Sequence, residues 1–200
     1  MKLIVMTQPT LFIEEDRILT SLFDEGMESL HICKPNSSPM YVERLLSLLP
    51  EDFYDNIFVH NHFYLRNEYR LAGINLEDEN DCVPKEIKGK VTCTCNRIES
   101  LADKSIRKKF HYILLNNCFA AEGGLTMKQL ENAAAEGYIN KKVYAMGGIT
   151  ADNIKLAAEL GFGGVVLRSD LWNRFDIHKQ DSYNGVLNYF ANIIKIIGQL

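Results

Sequence analysis

Short apolar runs recur along the chain, spaced so that a helix fits between most of them. They are KLIVM (2–6), LHIC (30–33), NIFVH (56–60), GINL (73–76), VTCTC (91–95), HYILL (111–115), VYAM (143–146) and GVVLR (164–168). Each is four or five residues long and rich in Ile, Val and Leu, the composition of strands buried on both faces. The segments between them carry helix punctuation. Ser38 precedes Pro39, an N-cap followed by proline at the first helical position. Asn96 with Glu99, and Thr126 with Gln129, have capping-box spacing. TADNIKLAAELG predicts a helix that starts at Thr150 and stops at Gly161. The closing stretch NGVLNYFANIIKIIGQL places Leu187, Phe190, Ile193, Ile194 and Ile197 on one amphipathic stripe. EDENDCVPKEIKGK, after the fourth run, is polar and holds Pro84 and Gly89, so it reads as loop.

No Pro/Gly/Ser linker or low-complexity segment interrupts this alternation, which predicts one domain over residues 1–200. Eight strand–helix units in one domain imply a single (β/α)8 barrel of the α/β class. The alternative is an open doubly wound sheet, whose edges a chain of 200 residues would leave poorly covered. In either fold, function sits at the carboxyl ends of the strands.

Composition narrows the partners. With 46% hydrophobic residues the chain can build a sizeable core, and a net charge of −4 supplies no basic field for a nucleic acid. The apolar runs fall far short of the ~18 residues of a membrane span. MKLIVMTQPT is too short in its apolar part for a signal-peptide core, and the five cysteines form no framework. These features lead to an expectation of free thiols in a reducing cytoplasm. A homo-oligomer is compatible with them. The aromatic-basic stretch FYLRNEYRL and the basic DKSIRKK read as helix surface.

Two loops carry candidate chemistry. Gly147 and Gly148 follow the seventh run directly, where glycine lets backbone N–H groups approach an anion without side-chain obstruction. RSDLW, after the eighth run, reads as a short helical turn opening at Ser169. In barrels these two loops commonly hold a phosphate, which makes Gly147, Gly148, Arg168 and Ser169 the expected phosphate-binding residues.

VYAMGGITADN followed by GFGGVVLRSDLW resembles the glycine block of the thiamine phosphate synthase/TenI family. FVHNHFYLRNEYRLAGINLEDEN, SLHICKPN and VTCTCN are similar in order and rhythm to further family segments, so the resemblance covers nearly the whole chain. It implies a (β/α)8 barrel acting in thiamin biosynthesis on a phosphorylated thiazole, the phosphate lying on Gly147, Gly148 and Ser169. Family synthases join that thiazole to a pyrimidine diphosphate and release diphosphate, with Mg²⁺ and basic residues neutralising the leaving group. Here the pattern departs. The Gln, Arg and Lys positions of the second strand fall on His31, Cys33 and Pro35, and Lys34 is one residue out of register, which reverses its face. An Asn-Asp pair falls on His60 and Asn61, and the second metal Asp on Asn80. Asp78 and Glu79 are then the substitute Mg²⁺ ligands if the chain is a synthase. The sixth loop is NNCFAAEGG, lacking the family's Thr and Lys.

TenI-type relatives tautomerise the thiazole without metal, using a His where this chain has Asn117. The resemblance points His31 and Cys33 into the barrel, and an imidazole there suits proton transfer near neutral pH. His31, His60, Thr94 and Asn117 are therefore the expected lining of the reacting end, with His31 or His60 as the base. His31 as an interior hydrogen-bonded residue is the other reading. His62 is expected at an exposed helix start, while His111 and His178 lie away from the mouth. Thr94 facing inward would place Cys93 and Cys95 outward as buried apolar thiols rather than metal ligands. An alternative to an enzyme is a non-catalytic carrier or sensor of a phosphorylated thiamin intermediate, motivated by the altered reacting end.

Overall fold

In a computed structural model describing residues 1–179 and 182–200, eight parallel strands close into a barrel in chain order. The strands are β1 (Lys2–Met6), β2 (Leu30–Ile32), β3 (Ile57–Val59), β4 (Gly73–Leu76), β5 (Lys90–Cys95), β6 (Ile113–Leu115), β7 (Val143–Ala145) and β8 (Gly164–Leu167). All eight apolar runs become strands, and β8 pairs with β1 from Lys2↔Gly164 to Val5↔Leu167 to close the ring. The open-sheet alternative is thereby excluded.

Alternation along the strands makes two cores. Ile4, Met6, Phe58, Tyr112, Leu114 and Val166 fill the barrel interior. Leu3, Val5, Ile57, Val59, Cys93, Cys95, Val165 and Leu167 belong to the larger outer core beneath the helices. Cys93 and Cys95 are fully buried there, and burial pushes both thiols above their ordinary pKa. They are the apolar thiols the sequence led us to expect.

The helices around the ring are α1 (Glu15–Asp24), α2 (Pro39–Leu48), α3 (Leu65–Glu68), α4 (Lys104–Lys109), α5 (Met127–Ala135), α6 (Ile154–Glu159), α7 (Ser169–Trp172) and α8 (Ser182–Gly198). Ser38 stands at the N-cap position of α2 without a side-chain hydrogen bond to the helix, Pro39 follows in the first turn, and Thr126 and Gln129 form the expected capping box on α5. The Asn96–Glu99 box does not form. A 3₁₀ turn over Ile98–Ala102 takes its place, and Asp103 caps α4 by accepting from the Ser105 N–H. Helix α6 begins at Ile154 rather than Thr150, because Asn153 Oδ1 accepts from the Thr150 N–H and holds 150–153 in a turn. It ends as expected at Gly161 (φ 91°), where the Gly161 N–H bonds Ala158 O and the Phe162 N–H bonds Ala157 O. In α8, Val186, Phe190 and Ile193 are buried against the outer core.

Lys34 lies outside the barrel wall. Its Nζ, fully buried, donates to Glu15 Oε1 at 2.6 Å, Oε2 at 2.8 Å and Thr10 O at 2.9 Å. All three ammonium donors are used, as a buried cation requires. Burial pushes Glu15 up to about 7 and Lys34 down from its ordinary value. The one-residue shift in register therefore removes this lysine from the barrel mouth, as its position in the strand implied. No described helix is long and apolar enough to cross a membrane.

Candidate functional site

The carboxyl ends of the strands open onto a cavity of about 450 Å³. One wall comes from β7 and β8. Gly147 and Gly148 have φ of 88° and 70°, in the left-handed region that glycine enters without strain. Space excludes other residues as well. A Cβ on Gly148 would lie 2.0 Å from Phe119 O, and one on Gly147 would lie 2.7 Å from Asn117 N. The β6–α5 loop presses this close because the Cys118 and Phe119 N–H groups donate to Met146 O and Gly147 O, both at 2.9 Å. Asn153 Nδ2 donates to Gly148 O at 2.7 Å and fixes the other side of the turn. Among the described residues, the N–H groups of Gly147, Gly148 and Ile149 have no intramolecular acceptor, and the two glycines lie at the cavity.

Ser169 faces the same cavity from the start of α7. Trp172, fully buried, anchors that turn by donating its indole N–H to Met6 O at 2.7 Å. The Arg168 Nε donates to Thr7 O at 3.2 Å. Tyr189 of α8 ties both loops together, accepting from the Ala151 N–H and donating to Asp170. The four expected phosphate-binding residues Gly147, Gly148, Arg168 and Ser169 thus line one wall.

The opposite wall comes from β2, β3 and β4 and is made of side chains. His60 follows β3 and Glu77 follows β4; His60 Nδ1 lies 2.7 Å from Glu77 Oε1. His60 Nε2 meets His31 Nδ1 at 2.8 Å, and His31 Nε2 meets the Tyr112 hydroxyl at 2.6 Å. Asn75 Nδ2 donates to Leu76 O and Thr94 Oγ1, both at 3.0 Å, which occupies its two hydrogens. His60 Nδ1, 3.2 Å from that amide, is therefore the donor to the Glu77 carboxylate. A single direction satisfies the chain with both imidazoles neutral: Tyr112 O–H to His31, His31 N–H to His60, His60 N–H to Glu77.

Burial, and then the neighbouring His60, hold His31 well below its ordinary pKa. Burial also opposes the charged form of His60, but contact with the Cys33 thiol and the Glu77 carboxylate outweighs it and raises this imidazole. Cys33 completes the wall, with its sulfur, a His60 nitrogen and a Glu77 oxygen all within 4.8 Å of one another.

Of the four residues expected at the reacting end, His60 and Thr94 line the cavity. His31 does not reach it. It lies one layer down, fully buried against Phe58 and Tyr112, and is the interior hydrogen-bonded residue of the other reading. Asn117 also lies off the cavity wall. Its left-handed backbone (φ 56°) forms the loop behind Gly147, and Asn116 lines the cavity instead. His62 is half-buried rather than exposed, its Nε2 2.9 Å from Ser37 O.

The substitute Mg²⁺ ligands do not assemble. Asp78 Oδ1 accepts from the Asn80 N–H and Nδ2, and Glu79 is buried against Ser100 Oγ (2.5 Å) and Arg97. Asn61 Oδ1 accepts from the Lys34 N–H. Of the acidic residues 77–79, Glu77 alone lines the cavity, where Asp170 is the other carboxylate. Tyr112, Asn75, Glu77 and Asn116 are site residues that no motif in the sequence singles out. A polar Asn75 inside the apolar run GINL was the available signal.

The fold is shared with proteins of known structure. A crystal structure of thiamine phosphate pyrophosphorylase from Bacteroides thetaiotaomicron is 39% identical, with a TM-score of 0.89 over 99% of this chain and 98% of that one. The chain belongs to the thiamine phosphate pyrophosphorylase family. A second family structure, from Pyrococcus furiosus, is 19% identical with a TM-score of 0.75 over 99% and 96% of the two chains, a likeness of fold. A mutant tryptophan synthase alpha-subunit from the same organism has that fold too, at 12% identity and a TM-score of 0.65 over 97% of each chain. No family model matches the sequence, and no curated protein matches it by sequence search. Within the pyrophosphorylase family, this chain therefore combines a glycine wall of backbone donors with a wall of His, Cys and Glu.

Proposed function

We propose that the chain is a thiamin-biosynthesis enzyme that binds a phosphorylated thiazole at the barrel mouth. The observation that carries this is the Gly147–Gly148 turn, whose N–H groups are unpaired at the cavity on the same wall as Ser169. Backbone donors fixed in place hold a phosphate without reorganisation, and Arg168 adds a permanent positive charge. The relative at 39% identity is named a thiamine phosphate pyrophosphorylase. We accordingly assign this chain the same reaction class, joining a pyrimidine diphosphate to the thiazole phosphate with release of diphosphate. In that reaction the glycine wall orients the thiazole, Thr94 and Asn96 offer polar contacts to the second substrate, and His60 holds or moves a proton at the opposite wall. Mg²⁺ enters no step here, because Asp78 and Glu79 are engaged elsewhere.

A second reading is favoured by one specific contact. Glu77, 55% exposed at the cavity and held by the His60 N–H, is a carboxylate base oriented by an imidazole, the equipment for tautomerising a thiazole. Incubating the purified protein with both substrates, and separately with a thiazole tautomer alone, decides between them. Thiamin phosphate formation supports the transferase. Isomerisation of the thiazole tautomer, with its composition unchanged and no coupling, supports the tautomerase, and binding without turnover leaves a carrier.

A further inference from the structure

We propose that Cys33, His60 and Glu77 form a three-ligand site for a divalent transition metal of the zinc type at the barrel mouth. The three residues follow adjacent strands, β2, β3 and β4, and their ligand atoms lie within 4.8 Å of one another. Thiolate, imidazole and carboxylate together suit zinc and its neighbours and not Mg²⁺. Three protein ligands leave a fourth position open, and here it faces the cavity.

The surroundings fit the assignment. A metal-bound imidazole needs its second nitrogen held by a partner, and His31 stands 2.8 Å from His60 Nε2, itself held by Tyr112. With metal on Nδ1, the one proton of His60 moves to Nε2 and is donated to His31 Nδ1, whose own proton moves to Nε2 and is donated to the Tyr112 oxygen. The thiol proton of Cys33 passes to solvent. Tetrahedral coordination opens the His60–Glu77 separation from 2.7 Å to about 3.3 Å. Glu77 can supply that movement, because its side chain is 55% exposed while His60 is buried.

The site differs from the positions of Asn61 and Asn80, where the family resemblance implies metal carboxylates. A metal here would place positive charge opposite Arg168, where a leaving diphosphate needs it. That role rests on the proposed transferase reading, whereas the ligand set does not.

The test uses the full-length protein, stripped with chelator and titrated with Co²⁺ alone. One equivalent should produce sulfur-to-cobalt charge-transfer absorption with tetrahedral d–d bands. Zn²⁺ should displace the signal and millimolar Mg²⁺ should not. Cys33→Ser should abolish the charge-transfer band, and Glu77→Gln should retain it with affinity weakened about tenfold or more. Cys82→Ser, at an exposed thiol that is not a member of the cluster, should leave band and affinity unchanged. No thiolate band in the wild type overturns the proposal. So does a band that survives Cys33→Ser or disappears with Cys82→Ser. If Cys33→Ser does not fold, Glu77→Gln decides alone, since unchanged affinity in that surface variant contradicts the site. No substrate is present, so a negative result leaves the phosphate reading standing.

Discussion

The two walls of the barrel mouth are built on different principles. On the β7–β8 side the functional groups are backbone N–H donors, and the side chains serve by their absence: a single Cβ at Gly148 would meet Phe119 O at 2.0 Å. On the β2–β4 side the groups are side chains, and each takes its orientation from the next, from Tyr112 through His31 and His60 to Glu77. The first wall is rigid because the main chain cannot be otherwise. The second is ordered because its polar groups are satisfied by one another in a buried setting. A backbone site tolerates no insertion of atoms, while a side-chain site can exchange its chemistry one residue at a time. That difference is consistent with a chain that resembles its family most clearly at the glycine wall and departs from it at the other.

Gly148→Ala should damage the glycine wall most. It combines a left-handed backbone with a clash against main-chain atoms, so it should cost about 3 kcal/mol or more of stability. Urea denaturation should show a lower midpoint at unchanged slope. An unperturbed midpoint would mean the wall is not sterically fixed. Across the cavity, Tyr112→Phe removes one hydroxyl and leaves buried His31 Nε2 without its partner. A loss of about 1–3 kcal/mol is expected by the same assay. A smaller effect is expected at Asn153→Ala, which frees Gly148 O and the Thr150 N–H near solvent. About 1 kcal/mol of stability should go, with a clear weakening of phosphate binding.

The smallest effect concerns pH and belongs to the histidine wall alone. His31 has its folded pKa held below its ordinary value by burial and by His60. Below about pH 6.5 the unfolded chain therefore takes up a proton that the folded one refuses, and this contribution to stability falls with pH. The stability advantage of wild type over His31→Gln should shrink between about pH 7 and pH 5. An advantage that grows on acidification would place a proton on folded His31 and reverse the proposed direction of the chain.

Legibility in the sequence followed the same division. The eight strands were legible because burial on both faces leaves a continuous apolar run, and β1 and β4 coincide with their runs to the residue. Gly147 and Gly148 were legible because a backbone requirement is written at the position itself. His31 was misplaced by one layer, since its strand shows which face it points to and not how deep it lies. The partnership of His60 with Glu77 spans 17 residues, and that of His31 with Tyr112 spans 81. No local pattern encodes such pairs; barrel closure brings them together. Asn96–Glu99 shows the opposite limit, a correct local spacing overridden by a 3₁₀ turn.

If the glycine wall holds the phosphate of a thiazole, affinity depends on the ester and not on the ring. Calorimetric titration of the wild-type protein with the phosphorylated thiazole and with its dephosphorylated alcohol tests it most directly. The phosphate ester should bind, the alcohol should bind about 100-fold more weakly, and Gly148→Glu should lose phosphate-ester binding. Equal affinity for the two ligands, or phosphate-ester binding indifferent to Gly148→Glu, would contradict it.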